Sequence, residues 1–391
     1  MMMRHLLTLL HRWFGLFTAV FLFVAGATGA IISWDHELDG ALNPQMYHAK
    51  WQGEAQSPLV LADRFEAENP NLIVTFLPLE LAAGDALNIF VKGRSEQADQ
   101  NLTYNQVAIH PESGEVQAKR MWGDVSLSRE NLLPFLYKLH YSMHLPDVGG
   151  IEAGILFMGI VSIVWILDSF VAIAISFPAR RSWQKSFLFR WKSGGYKLNF
   201  DLHRSGGVWV WALLLIIAVT SVSMNLGFQV VRPVVNAISP LTPSPFETQT
   251  FNAYSTPALS RAEAVELARI EAPKHDITDP IGGLFYARDY NLYGIGFFTP
   301  GNSHGDGGLG NPWLYFDGNT GAYVGATIPG EGSAGDIFMQ AQFPLHSGRI
   351  LGVTGRVIMS FLGALIAMLS ITGIVIWARK RKARAIRSKT A

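Results

Sequence analysis

Four histidines in this sequence recur as two matched pairs, and imidazole is the commonest metal ligand in proteins. Leu10-His11-Arg12 returns as Leu202-His203-Arg204, and in both copies a glycine follows four residues after the histidine, Gly15 and Gly207. Leu139-His140 and Leu345-His346 form the second pair, each followed nine residues on by a glycine, Gly149 and Gly355. A single histidine in apolar surroundings is more often a hydrogen-bonded structural residue, but two matched pairs reverse that preference. The metal is then haem iron, copper or zinc. Haem fits best, because the four glycines remove side chains where a flat macrocycle passes close to backbone, and Arg12 and Arg204 stand where propionates would need a cation. Close helix packing is the structural alternative for the glycines, and charge anchoring at a membrane surface is the alternative for the arginines.

Other residues compete for a role. His144 lies four residues after His140 and on a helix would share its face, which makes it a rival ligand. Its counterpart in the second half is Ile350, whereas His140 matches His346, and this favours His140. Arg349 and Arg356 suit propionates, an anionic ligand or phospholipid head groups. Asp168 is the one acid inside an apolar run; it could carry protons or meet a quinol, or simply hydrogen-bond Ser162, Ser169 or another helix. The glycine-dense stretch 299–312, with His304 and Asp306, reads as a mobile loop first and as a substrate-contacting loop second. His5, His36, His48, His110 and His275 have no matched partner and read as surface or structural residues.

The elements that position these residues are membrane spans. A bilayer core about 30 Å thick takes roughly 20 apolar residues of helix. Residues 14–34, 205–228 and 357–378 carry no charge, and 153–177 carries only Asp168. The first run resembles a signal peptide at Ala25-Gly26-Ala27, but it continues through Trp34 and its Leu-His-Arg start is copied mid-chain. Its apolar lead-in predicts a helix that begins before His11. His346 precedes Trp377 by thirty-one residues, roughly 46 Å of helix and too long for one untilted span, which predicts a bent lead-in.

Lys and Arg gather in the linker after the second span, from Arg180 to Arg204, and in the tail from Arg379 to Lys389. By the positive-inside rule both lie in the cytoplasm with both termini, and the two long segments lie on the other side. The organisation is a first transmembrane helix at 1–36, an outer module at 37–138 and a His-bearing segment with the second span at 139–178. A basic linker at 179–201, the third span at 202–228, a second outer module at 229–344, a His-bearing segment with the fourth span at 345–378 and a basic tail at 379–391 complete it.

The outer modules are α+β. Residues 58–68 read as a helix, and 87–92 and 102–110 as strands. In the second module 260–272 reads as an amphipathic helix with Ser260 as N-cap and Glu263 in the capping-box position, and 286–299 and 313–316 read as strands. Pro111-Glu112-Ser113-Gly114-Glu115 and Asp317-Gly318-Asn319-Thr320-Gly321 are matching turns. Each half is therefore span, outer module, His-bearing segment, span, an internal duplication. About a pseudo-two-fold axis along the membrane normal, His11 faces His203 at one level and His140 faces His346 at the other, as side chains in a four-helix bundle face each other across a cofactor.

Composition narrows the chemistry further. Of 391 residues 49% are hydrophobic, and none is cysteine. That excludes disulfides, thiolate metal sites, iron–sulfur clusters and covalently attached haem. The net charge of +1 carries no signal for nucleic acid. No dinucleotide fingerprint, P-loop or Ser/His/Asp order is present.

The Leu-His-Arg starts of spans one and three, the Leu-His before spans two and four, and the outer Pro-Glu-Ser-Gly-Glu-Val and Asp-Gly-Asn-Thr-Gly-Ala together resemble the PepSY-associated transmembrane-helix family. The likeness covers nearly the whole chain and extends to the ferric-siderophore reductases of the ferrioxamine-reductase type. It implies a bacterial inner-membrane, iron-regulated protein: a four-helix core with two b-type haems and two periplasmic PepSY-like modules. Its histidine positions fall on His11, His203, His140 and His346. The implied activity is haem-dependent electron transfer, from a quinol or a cytoplasmic reductase, to a ferric siderophore docked between the periplasmic modules. Two readings from other classes stand beside it: a cofactor-free membrane protein whose modules bind or regulate a periplasmic partner, and a metal or proton transporter with a histidine-lined path.

Overall fold

The structure, a computed structural model, describes residues 2–51 and 53–390; the side chains of Lys389 and Thr390, in the basic tail, lie outside the described residues. In chain order the elements that matter are helix α1 (Met2–Ile32), helix α2 (Pro58–Glu68), strands β1 (Leu72–Pro78), β2 (Leu87–Gly93), β3 (Gln106–Ile109) and β4 (Val116–Arg120). Helices α3 (Leu132–Ser142), α4 (Ala153–Ser176), α5 (Gly195–Leu226) and α6 (Arg261–Glu271) follow, then strands β5 (Ile281–Ala287), β6 (Leu292–Phe297), β7 (Trp313–Asp317) and β8 (Tyr323–Thr327), and helices α7 (Ala334–Ser347) and α8 (Gly352–Thr390). The chain forms two compact units, 1–34 with 136–234 and 345–391, and 35–135 with 235–344.

Among the described residues the first unit holds four helices long and apolar enough to cross a membrane, α1, α4, α5 and α8. A helix is the natural form for such runs, because it satisfies every backbone polar group internally. Each packs on two neighbours in the order α1, α8, α5, α4 and back to α1, so that α1 and α5 stand diagonally. Small residues let α1 and α8 approach closely: a Cβ on Gly26 would lie 2.6 Å from the Gly363 carbonyl oxygen. Leu214, Ile217, Leu362 and Ile366 form a buried apolar cluster between α5 and α8.

Helix ends decide where the histidines fall. Because α1 starts at Met2, His11 lies well inside it, as its apolar lead-in predicts. The expectation that His144 shares a helical face with His140 is corrected: α3 ends at Ser142, and Met143 and His144 both have φ of 53°. Before the last span, α7 ends at Ser347, Gly348 takes a φ of 77° and Gly352 a φ of 58°. The left-handed glycine ends the helix at little steric cost, so the predicted bend is a break between two helices.

The second unit is built on one antiparallel sheet with strand order β4-β3-β2-β1-β5-β6-β7-β8. The outer modules are thus not separate bodies. They join edge to edge, with Phe76, Leu77 and Pro78 of β1 opposite Phe285, Leu284 and Gly283 of β5. An open groove of about 310 Å³, lined in part by Pro58 and Glu80 of the first module and Val265 and Arg269 of the second, lies on the helical side of this seam.

Both helices cover the same face. Leu61, Ala62 and Phe65 of α2 pack on Val74, Leu77, Ile89 and Val107, and Ala264, Val265 and Ala268 of α6 pack on Leu284, Tyr293, Ile295 and Leu314. Each fully buried aliphatic or aromatic side chain contributes roughly 1.5–3 kcal/mol. Arg261 of α6 ties the helices together, reaching Asp63 at 2.8 Å and also Glu66. Ser260 and Glu263 form the predicted capping box, and the hydrogen bonds from Ser260 hold the Glu263 carboxyl below the usual carboxylate range. The stretch 286–299, read as one strand, contains the β5–β6 hairpin turn at Arg288–Tyr290, with Asn291 left-handed at a φ of 48°. The stretch 102–110 is strand only from Gln106.

Candidate functional site

The bundle brings the four histidines together as two pairs. His11 on α1 and His203 on α5 face each other with ring centres 6.0 Å apart and planes tilted by 42°. His140, near the end of α3, and His346, near the end of α7, face each other at 6.1 Å and 60°. His144 lies beyond the end of α3, at a left-handed φ of 53°.

Every one of the four rings is held at Nδ1. His11 Nδ1 lies 2.8 Å from Asp168 Oδ1 on α4, and His203 Nδ1 lies 3.0 Å from the Leu369 carbonyl and 3.2 Å from Thr372 Oγ1 on α8. His140 Nδ1 lies 2.9 Å from the Ala25 carbonyl and 3.2 Å from Thr28 Oγ1 on α1, and His346 Nδ1 lies 3.0 Å from Thr220 Oγ1 on α5. Thr28 and Thr220 occupy the same position, seventeen residues after His11 and His203 respectively.

These contacts fix the tautomers. A carbonyl can only accept, so His203 and His140 carry their proton on Nδ1. Thr220 donates its own hydroxyl proton to the Ile216 carbonyl at 2.9 Å, so it accepts from His346; an aspartate accepts from His11 in the same way. The lone pair of each ring then sits on Nε2. An N–H anchored to an outer partner, with the second nitrogen presented as donor, is the usual arrangement around metal-bound histidine.

The ring separations can be tested against a metal. Two imidazoles that bind one ion through Nε2, with bonds of about 2 Å and ring centres about 1.1 Å beyond each nitrogen, stand about 6 Å apart centre to centre. Both pairs match that spacing. Among the described residues there is no group of three or more His, Cys, Asp or Glu side chains suited to an ion. Zinc in a structural site takes four protein ligands and in a catalytic site three, which neither pair offers. A haem would need only two donors from the protein, and each pair offers two, so the donor set fits haem.

The surroundings at the His11/His203 level agree with that fit. Arg12 and Arg204 each bury Nε without a hydrogen-bond partner, a costly state that a carboxylate of a bound molecule would relieve. A Cβ on Gly15 would meet nothing closer than Asp168 Oδ2, and one on Gly207 nothing closer than Leu369 Cδ2, each at 3.9 Å, so neither glycine is needed for helix packing. Gly355 differs, since a Cβ there would overlap the Gly348 carbonyl, and Gly149 stands in a loop with a φ of 59°. Two glycines missed by the sequence reading crowd the rings: a Cβ on Gly29 would lie 2.9 Å from His140 Cε1, and one on Gly373 3.0 Å from His203 Cε1.

Arg356 is buried, donates from Nε to the Ser33 carbonyl at 2.7 Å and lies over the Trp34 ring, which ties α8 to the end of α1. Arg349 stands in the short turn between Gly348 and Gly352. Ser162 and Ser169 bond carbonyls of their own helix, so Asp168 is left to His11. In the loop 299–312, His304 stacks on Phe343 with ring centres 6.1 Å apart, and Asn302 receives the Asp306 amide. Asp168 stands out in the sequence as the one acid inside an apolar run, but not as the partner of His11, and Thr28, Thr220 and Thr372 were not singled out. Of the threonines, Thr28 and Thr220 had a readable signal, their equal offset from the two Leu-His-Arg copies.

The two levels are well separated. His140 meets α1 at Ala25 and Thr28, fourteen to seventeen residues beyond His11, which is roughly 21–26 Å of helix. The family model described as "PepSY-associated TM region" matches residues 8–380. Comparison with curated proteins gave no match.

Proposed function

The chain belongs to the PepSY-associated transmembrane family, and on that footing we propose that it is a two-haem electron carrier of the bacterial inner membrane that reduces ferric siderophores at the outer face. The observation that carries this reading is the pair of two-histidine donor sets at metal-sharing distance, at two levels of one bundle. In the proposal both termini are cytoplasmic, and the matched halves descend from a duplication.

Each level would hold one b-type haem, His11 with His203 and His140 with His346, and bound haem supplies a one-electron couple. The protein's part is to orient and to protect. Asp168, Thr372, Thr28 and Thr220 fix the ring planes and keep Nε2 unprotonated. Arg12 and Arg204 offer half-buried guanidinium groups, each with an unbonded Nε, to propionates. Two protein ligands per iron leave no open position for oxygen, which favours electron transfer over oxygen chemistry. One electron converts iron(III) in the siderophore to labile iron(II); a quinol donor would give two electrons and two protons and so serve two ferric complexes. The electron enters at the His11/His203 level and leaves from the other.

The test is anaerobic. The detergent-purified chain, reduced with dithionite and freed of excess, is mixed with a ferric hydroxamate siderophore. The expected result is reoxidation of the absorbance bands with appearance of chelatable iron(II) in matching amount. Reoxidation by oxygen alone, with no iron(II) released, would reject the reductase and leave an electron carrier with another acceptor. A chain that purifies with no haem would favour a cofactor-free binding or transport role.

A further inference from the structure

The four ligand histidines are matched in position but not in what holds them. His203 and His140 give their Nδ1 proton to a backbone carbonyl and a hydroxyl, and His346 gives its proton to a hydroxyl. His11 alone gives it to a carboxylate, Asp168 at 2.8 Å. Asp168 is 7% exposed on a membrane helix, and its one ion-pair partner among the described residues is His11. With Gly15 on the facing helix, no side chain from that position intervenes; even an added Cβ would stop 3.9 Å short of Asp168 Oδ2. The carboxyl group is also not a relic of the repeat. By the offset that relates His140 to His346, its counterpart is Ile374, and His203 turns to Leu369 and Thr372 instead.

A carboxylate on the far nitrogen makes an imidazole a more basic, more strongly donating ligand than a neutral acceptor does. A negative charge in apolar surroundings is also weakly screened. Both effects favour the higher oxidation state of a metal on Nε2, and both act on one level only.

We infer that Asp168 is a positioning residue that sets the direction of electron flow, by giving the His11/His203 level a lower reduction potential than the His140/His346 level. The inference rests on the two-haem reading. An electron loaded at the first level then moves downhill to the second: the first site is oxidised by one electron, the second is reduced by one, and no proton need move. A symmetric bundle with four neutral acceptors would have no such built-in bias.

The experiment is a spectroelectrochemical titration of the full chain in detergent at fixed pH. Wild type should show two one-electron waves. In Asp168→Asn the lower wave should move up by at least tenfold in the reduction equilibrium, about 59 mV for one electron, with the upper wave in place. Thr372→Val, which removes a neutral partner of the opposing ligand, should move the same wave less. Two further variants keep the inference testable should Asp168→Asn lose haem. His346→Ala retains only the first site and His203→Ala only the second, and the former must show the lower midpoint. Two bound haems with the Asp168→Asn waves unmoved, or a higher midpoint for His346→Ala than for His203→Ala, would overturn the inference and leave the two-haem reading intact. A wild-type chain without haem would instead remove the reading itself.

Discussion

At the scale of single residues, the histidines were legible because they repeat, and their partners were not because they lie far away in sequence. Asp168 is 157 positions from His11, and nothing along the chain names the one for the other. His144 shows the opposite error. Its spacing from His140 is helical, but two left-handed residues end the helix before it, and no local pattern announces them. The glycines separate into two kinds with different expected outcomes. Gly29→Ala and Gly373→Ala put a methyl group about 3 Å from a ring carbon, closer than carbon atoms pack. Each should displace one imidazole and lower haem content at one level, read from the haem-to-protein absorbance ratio. Gly15→Ala and Gly207→Ala place a methyl group no closer than 3.9 Å to any protein atom, an ordinary contact that needs no rearrangement. The polypeptide should keep its thermal unfolding midpoint while haem retention at the His11/His203 level falls; full retention would show that no macrocycle passes there.

Elements were readable where pattern and chemistry agree. The helix at Pro58–Glu68 and the capped helix at Arg261–Glu271 follow from their starts and periodicity. The β5–β6 hairpin was hidden because its turn is Arg288-Asp289-Tyr290-Asn291, with neither glycine nor proline to mark it, while Gly294 and Gly296 sit inside the strand. There the missing side chains make room for the rings of Phe285 and Trp313, a packing reason that composition alone cannot show. The link between α2 and α6 is likewise long-range. Arg261 is 8% exposed and bridges Asp63 and Glu66 across almost two hundred residues. Glu66 keeps its ion pair with Arg94 at 2.6 Å and Asp63 is largely exposed, so Arg261→Ala should cost only about 1 kcal/mol, measured as a lower unfolding midpoint of the full chain in detergent. An unchanged midpoint would mean that the seam is held by the β1–β5 pairing and the apolar contacts alone.

For the whole molecule, apolar runs of adequate length, three uncharged and one with Asp168 alone, pointed to the four spans, and the repeated motif to the facing of His11 on His203 and of His140 on His346. The single sheet was not foreseen, because the edge-to-edge joining of β1 and β5 depends on strands that never neighbour each other in sequence. The two-level arrangement makes the histidines separable: each belongs to one pair, and the levels stand some 20 Å apart along α1. The central claim is that each pair binds one haem, and haem stoichiometry of the purified chain tests it most directly. The expected values are two haems per wild-type chain, one for His11→Ala or His203→Ala, and one for His140→Ala or His346→Ala, with His144→Ala retaining both. A chain that purifies without a Soret band, or one that keeps both haems when His11 or His346 is replaced, would contradict it.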